Sequence, residues 1–248
     1  MRAIQITEFG RPEDVVRVVD VPEPPSPGPF EVKVAVEFSP LNKHDLLLVS
    51  GALQRPPLPL FLGNEGVARV VEAGQGVETV AVGDLVVVPL FAGAWRERLL
   101  LPAEGLFPLP EGSAEQFSML GSNPPTAGLI LSEYIDLEPG DWIVQNAANS
   151  GVGRSLIALA KARGFRTINL ARDESVLADL TTAGADIVHL DDATAVEDAR
   201  KEIGAARVAL AVDSVGGSAG AGCLTCCLTA VRSSAMRRRP GSQYLSAN

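Results

Sequence analysis

Cysteine is scarce and unevenly placed: all three, Cys223, Cys226 and Cys227, fall in one short stretch, and none precedes them. A disulfide framework is excluded for the bulk of the chain. The Cys223-x-x-Cys226 spacing fits half of a metal knuckle, but such a site needs four ligands, and the only histidines are His44 and His189. No metal is expected. Cations are also in the minority: 21 Lys and Arg face 30 Asp and Glu, a net charge of -9. That balance disfavours a phosphate backbone, so no nucleic-acid partner is expected. No apolar run reaches the roughly 18 to 20 residues that cross a bilayer, and Met1-Arg2-Ala3-Ile4 leads directly into a strand-like pattern instead of a signal peptide. The expectation is a soluble cytoplasmic protein with no membrane partner.

Apolar residues make up 46% of 248, enough to bury one large core or two modest ones. The first half reads as strands punctuated by Gly and Pro. Val15 to Val19 and Glu31 to Val36 are rich in β-branched residues, and Pro24-Pro25-Ser26-Pro27-Gly28-Pro29 forms a rigid turn between them. Gly66 to Val71 and Asp84 to Pro89 continue the pattern, the latter entered by Val82-Gly83-Asp84. Around residue 113 the texture changes. Ser113 to Leu120 and Thr126 to Tyr134 have helical spacing, and Glu138-Pro139-Gly140-Asp141 turns into the apolar strand Trp142 to Asn146. Helices over Arg154 to Arg163, Ser175 to Ala183 and Ala195 to Ile203 then alternate with strands over Arg166 to Leu170, Ile187 to Leu190 and Arg207 to Ser214. Such alternation predicts an α/β protein with a doubly wound parallel sheet.

The segment Ala147-Ala148-Asn149-Ser150-Gly151-Val152-Gly153 falls between a predicted strand and a predicted helix. A dinucleotide pyrophosphate needs backbone N–H groups at a helix N-terminus, and glycines that let phosphates approach without a Cβ in the way; Gly151 and Gly153 supply these. The full G-x-G-x-x-G form is absent, and an ordinary Gly-rich turn is the alternative. One strand further on, Arg172-Asp173-Glu174 follows Thr167 to Ala171. An acidic residue there would bond the ribose 2′-hydroxyl of NAD, whereas an arginine pairs with the 2′-phosphate of NADP. Arg172 points to NADPH; a solvated charge cluster, with Asp173 and Glu174 neutralising Arg172, is the other reading.

Together with Leu62-Gly63-Asn64-Glu65-Gly66 and Val82-Gly83-Asp84, this turn resembles the medium-chain dehydrogenase/reductase superfamily. Gly121-Ser122-Asn123-Pro124-Pro125-Thr126-Ala127 and Gln145 to Gly153 are similar to the mitochondrial-type enoyl-thioester (trans-2-enoyl-CoA) reductases, as are Thr167-Ile168-Asn169 and Arg172-Asp173. The likeness runs to about residue 217. It implies a GroES-like β-rich domain over 1–112 and a Rossmann domain over 113–217, the latter incomplete. It also implies NADPH as cofactor, a small-molecule thioester as substrate, and hydride transfer to the β-carbon of the conjugated alkene; quinone reduction is the alternative activity. The superfamily usually dimerises through edge strands of its cofactor domain. Its zinc enzymes hold metal with a Cys near the position of Asn42 and a His where this chain has Asn64, so the resemblance is to the zinc-independent members. The family assigns a donor role to a tyrosine just before Gly-Asn-Glu-Gly, but Gly51 to Pro57 contains none. Asn123 matches a cofactor-contacting position, while Asn64 and Trp95 match the substrate pocket.

From Ser218 onward there is no Asp or Glu, while every cysteine and four arginines are concentrated there. The change over 218–248 suggests a frame shift or truncation that leaves a catalytically inactive NADPH-binding protein. A natural basic tail for an anionic partner is the alternative.

Overall fold

The computed structural model describes residues 1–216; the expected tail over 218–248, with its cysteines, lies outside the described residues. The chain forms two compact units, 1–122 and from 123 onward.

In the first unit, β1 (Arg2–Ile6) is flanked by β2 (Arg17–Asp20) and β4 (Leu60–Phe61) in an antiparallel sheet. A second antiparallel sheet has the order β6 (Leu85–Val88), β5 (Gly66–Ala73), β3 (Glu31–Phe38), β7 (Arg98–Pro102). Its core side follows the strand period of two: Val32 and Val34, Ala68 and Val70, Val86 and Val88, Leu99 and Leu101 are all buried in one cluster. Three short helices complete the unit: α1 (Pro12–Val15), α2 (Lys43–Ser50) and α3 (Ala114–Phe117). The strand expected from Val15 begins instead at Arg17, because Pro12 opens a helical turn that runs through Val15. The helix expected from Ser113 to Leu120 shrinks to α3; Ser113 is its N-cap, accepting from Gln116 N. Contact of α3 with β3 and β5 carries the first unit to Ser122, beyond the change of texture at residue 113.

The second unit opens with α4 (Asn123–Glu133), followed by β8 (Trp142–Gln145), α5 (Gly151–Ala162) and β9 (Arg166–Ala171). A 3-10 turn over Glu174–Val176 precedes α6 (Leu177–Thr182), β10 (Ile187–Leu190), α7 (Ala195–Ile203) and β11 (Val208–Val212). The strands are parallel in the order β10, β9, β8, β11. Both faces are covered. Ile143 packs with Ala127 and Leu131 of α4 and Leu156 and Ala160 of α5, whereas Trp142 and Val144 pack with Ala195 and Ala199 of α7. This is the doubly wound arrangement expected from the alternation. Because β9 and β11 lie on opposite sides of β8, the winding reverses beside β8, and open α/β sheets bind ligands at the strand ends of such a switch point.

Candidate functional site

The residues singled out from the sequence fall in both units. In the second, the turn after β8 is bound to the neighbouring strand by Ala148 N donating to Leu170 O at 3.1 Å. Ser150 caps α5, its Oγ accepting from Gly153 N at 3.1 Å. The helix therefore starts at Gly151, earlier than Arg154 where apolar periodicity begins, and Gly151, Val152 and Gly153 form its first turn. With Gly153 N taken by the cap, the amides of Gly151 and Val152 still lack intrahelical acceptors and sit at the positive end of the helix dipole. At Gly153 an added Cβ would lie 2.5 Å from Ala148 O and 2.8 Å from its Cα. Only glycine lets the helix start pack this closely against the turn. Ala147, at φ 48°, adopts the left-handed conformation that directs the chain into it. This arrangement has the features a pyrophosphate requires: free first-turn amides, a glycine at the close approach and a favourable dipole.

Arg172, Asp173 and Glu174 are exposed at the end of β9, the strand adjacent to β8. Asp173 does not neutralise Arg172; its Oδ1 accepts from Ser175 N at 2.9 Å and Ser175 Oγ at 2.7 Å. Those bonds, the hydroxyl's foremost, hold the Asp173 carboxyl below its ordinary range. Among the described residues Arg172 makes no ion pair, although it lies within electrostatic reach of Asp191. Burial raises the Asp191 carboxyl, and the Arg172 charge opposes that shift. Asn123 is buried in the first turn of α4, a helix packed against α5.

Sequence patterning gave no role to the polar side chains within the sheet. Gln145 Nε2 donates to Gly153 O at 3.0 Å and to Asn169 Oδ1 at 2.8 Å; Asn169 Nδ2 donates to Thr167 Oγ1 at 2.9 Å and Ile187 O at 3.0 Å. This buried run couples β8, β9 and β10 to the first turn of α5. The available signal was a set of amides and a hydroxyl interrupting apolar strands.

In the first unit, Asn64 and Trp95 lie on neighbouring backbone runs: Trp95 N donates to Leu62 O and Ala94 N to Gly63 O, each at 2.9 Å. Gly63, at φ 98°, admits this approach; a Cβ there would stand 2.4 Å from Trp95 N. Trp95 packs partly against the cluster of Ile6, Val15, Val49 and Leu62 and also lines an open groove with Ile4, Val36 and Leu41. Beside it is a buried polar knot. Asp45 accepts from Asn42 N at 2.8 Å and Asn64 N at 3.1 Å. Glu65, wholly buried, accepts from Asn42 Nδ2 at 2.8 Å and Ser122 N at 2.9 Å. Asn42 is thus engaged with a carboxylate at the position where the zinc enzymes carry a cysteine. Among the described residues there is no group of three or more His, Cys, Asp or Glu that could hold a metal, and no helix is long and apolar enough to cross a membrane.

Residues 28–111 match the alcohol dehydrogenase GroES-like domain. The mitochondrial enoyl-[acyl-carrier-protein] reductase of Caenorhabditis elegans is 35% identical over 197 residues, 77% of this chain and 57% of that protein. Among solved structures, Candida tropicalis Etr1p in complex with NADP and crotonyl-CoA aligns with a TM-score of 0.77 at 25% identity, over 91% of this chain and 72% of that one. Escherichia coli quinone oxidoreductase complexed with NADPH aligns at 0.80 and 27%, over 91% and 70%. The chain spans about half the length of the curated relatives it matches. Those relatives are mitochondrial, which overturns the expected cytoplasmic location. A GroES-like β-rich unit, a doubly wound cofactor-type sheet and this set of relatives identify the chain as a member of the medium-chain dehydrogenase/reductase family, of the enoyl-thioester-reductase-like kind.

Proposed function

We propose that this chain binds NADPH and reduces the carbon–carbon double bond of an enoyl thioester by hydride transfer, without zinc, in fatty-acid metabolism. The observation that carries the reading is the capped first turn of α5 at the switch point beside β8, with Arg172 exposed at the end of the next strand. Gly151, Val152 and Gly153, together with Asn149 and Ser150, hold the pyrophosphate. Arg172 takes the 2′-phosphate, flanked by Asp173 and Glu174, and Asn123 contacts the cofactor. When bound, NADPH supplies the hydride; Trp95 and Asn64 shape the thioester pocket. The Candida complex with NADP and crotonyl-CoA supports this substrate class.

The test pairs cofactor fluorescence quenching with a turnover assay on crotonyl-CoA. Binding with turnover is expected. Binding without it means an inactive cofactor-binding protein, and turnover of quinones in place of crotonyl-CoA favours the alternative suggested by the Escherichia coli neighbour. Replacing Arg172 with Ala removes a charge-assisted contact worth about 1.5 to 3 kcal/mol. NADPH affinity should fall roughly 10- to 100-fold while NADH affinity is unchanged. Equal affinities of the unmutated chain for both cofactors rule this assignment out.

A further inference from the structure

The parallel sheet of the second unit brings one more carboxyl to the strand ends. β10 pairs with β9 in the register Leu190↔Ala171, so the chain continues into Asp191 beside Arg172, and Asp191 N donates to Ala171 O at 2.9 Å. That bond holds the two residues side by side at the carboxyl edge of the sheet, where open α/β folds bind ligands. The neighbouring carboxylates are engaged. Asp192 Oδ1 accepts from Thr194 N at 2.9 Å and Ala195 N at 3.1 Å; Asp213 Oδ1, just past β11, accepts from Asn146 Nδ2 at 2.6 Å and Gly216 N at 2.9 Å. Among the described residues no donor bonds the side chain of Asp191, which is half-buried. Three charges act on it: Arg172 across the strand pair, Asp213, and Asp192 next in the chain. None comes from α6 or α7, the helices packed on β10.

A 2′-phosphate drawn to Arg172 arrives next to this carboxylate, and like charges sharing a site disfavour each other's ionisation. Resting on the function proposed above, we propose that Asp191 is a second specificity-determining residue of the cofactor site: its carboxylate opposes the 2′-phosphate that Arg172 attracts, so NADPH binds with uptake of a proton at Asp191 and NADH binds without it. The proton passes from solvent to the carboxylate, and no other bond changes. In the free protein burial, foremost, already holds the Asp191 carboxyl above its ordinary value of 3.8; Arg172 opposes the rise, and Asp213 and Asp192 add to it. The bound phosphate raises it further. NADPH affinity is therefore greatest with the carboxyl protonated, falls as pH rises through the value of the free protein, and levels off above that of the complex. Ionisation of the 2′-phosphate itself, at about pH 6, acts the other way by strengthening its pull on Arg172.

The experiment measures dissociation constants for NADPH and NADH by fluorescence quenching from about pH 5 to pH 8, in the full chain and in Asp191→Asn, which cannot titrate. Dividing the parental constant by that of the variant cancels the ionisation of the phosphate. For NADPH the ratio should grow with pH and reach about 10-fold, the variant being the tighter binder, while for NADH it should stay within about twofold throughout. A second readout needs only the parent protein. In its 13C-carboxyl titration, with Asp191 assigned by its absence from the variant, saturating NADPH should raise the Asp191 midpoint and NADH should not. An NADPH ratio that is flat with pH overturns the proposal, as does a midpoint that NADPH leaves in place. In either case, a parental preference for NADPH keeps the cofactor reading standing. A parent that binds neither cofactor removes that reading and this role together.

Discussion

Gly153→Ala should unfold the start of α5 and abolish NADPH binding in one step. The new methyl group would stand 2.5 Å from a backbone carbonyl oxygen and 2.8 Å from a backbone Cα, so no side-chain rotation relieves it. Either the first turn moves away or Ala148 is displaced, and Ala148 is fully buried with its N–H bonded to Leu170 O. Overpacking of this kind costs about 3 kcal/mol when backbone must move. The same displacement misdirects the two free amides of the turn. Losing two charge-assisted contacts lowers cofactor affinity by about 100-fold or more. Gly128→Ala in α4 provides the contrast: nothing lies within 4 Å of its added Cβ, and an interior helical Gly→Ala change stabilises by about 0.5 to 1 kcal/mol. Thermal melts of the two variants should therefore move in opposite directions, and NADPH quenching should be lost in Gly153→Ala alone. Parental stability and affinity in Gly153→Ala would show that the close approach carries neither the turn nor the cofactor.

The contrast between these glycines also marks how far the sequence could be read. Strand–turn–helix order around Ala147 to Gly153 was legible because apolar period and Gly spacing are local properties. The start of α5 was not, because it depends on Ser150 acting as a cap, and a serine among small residues has no periodic signature. α2 gave no signal either. Lys43 to Ser50 is short and only weakly two-sided; Asn42 and Asp45 fix it by a reciprocal capping box, and Gly51 ends it at φ 71°. Pairing at long range was invisible as well. Nothing near Asn42 in sequence indicates that its amide will meet Glu65, nor that Ser122 will arrive on the same carboxylate. The family resemblance supplied the roles of Asn64 and Trp95, whereas the nearness of Asp191 to Arg172 became apparent only from the pairing of β10 with β9.

Those distant partners make Glu65→Ala the second large effect. The carboxylate accepts from Asn42 Nδ2, Ser122 N and Gly121 N, so truncation removes the shared acceptor of three part-buried donors and opens a cavity. About 3 to 5 kcal/mol of stability should be lost in denaturant melts. Glu65→Gln should cost less, since the amide oxygen keeps one acceptor while its NH2 opposes a donor. This pair also separates by pH. Burial is the largest influence on the Glu65 carboxyl and raises it above its ordinary value of 4.5; Asp45 adds to the rise, while the bonds from Asn42, Ser122 and Gly121 oppose it. The native state then holds the Glu65 proton more tightly than the unfolded chain. Its contribution is fully present below the unfolded value and is lost as pH rises through the higher native one. Glutamine does not titrate, so the parental advantage over Glu65→Gln should be greatest near pH 4 and shrink as pH rises toward neutrality. Taking the difference between the two proteins at each pH cancels the carboxylates that do not sense Glu65, leaving Glu65 and its neighbour Asp45. An advantage that grows with pH would mean that the three donors outweigh burial and that the Glu65 carboxyl is lowered.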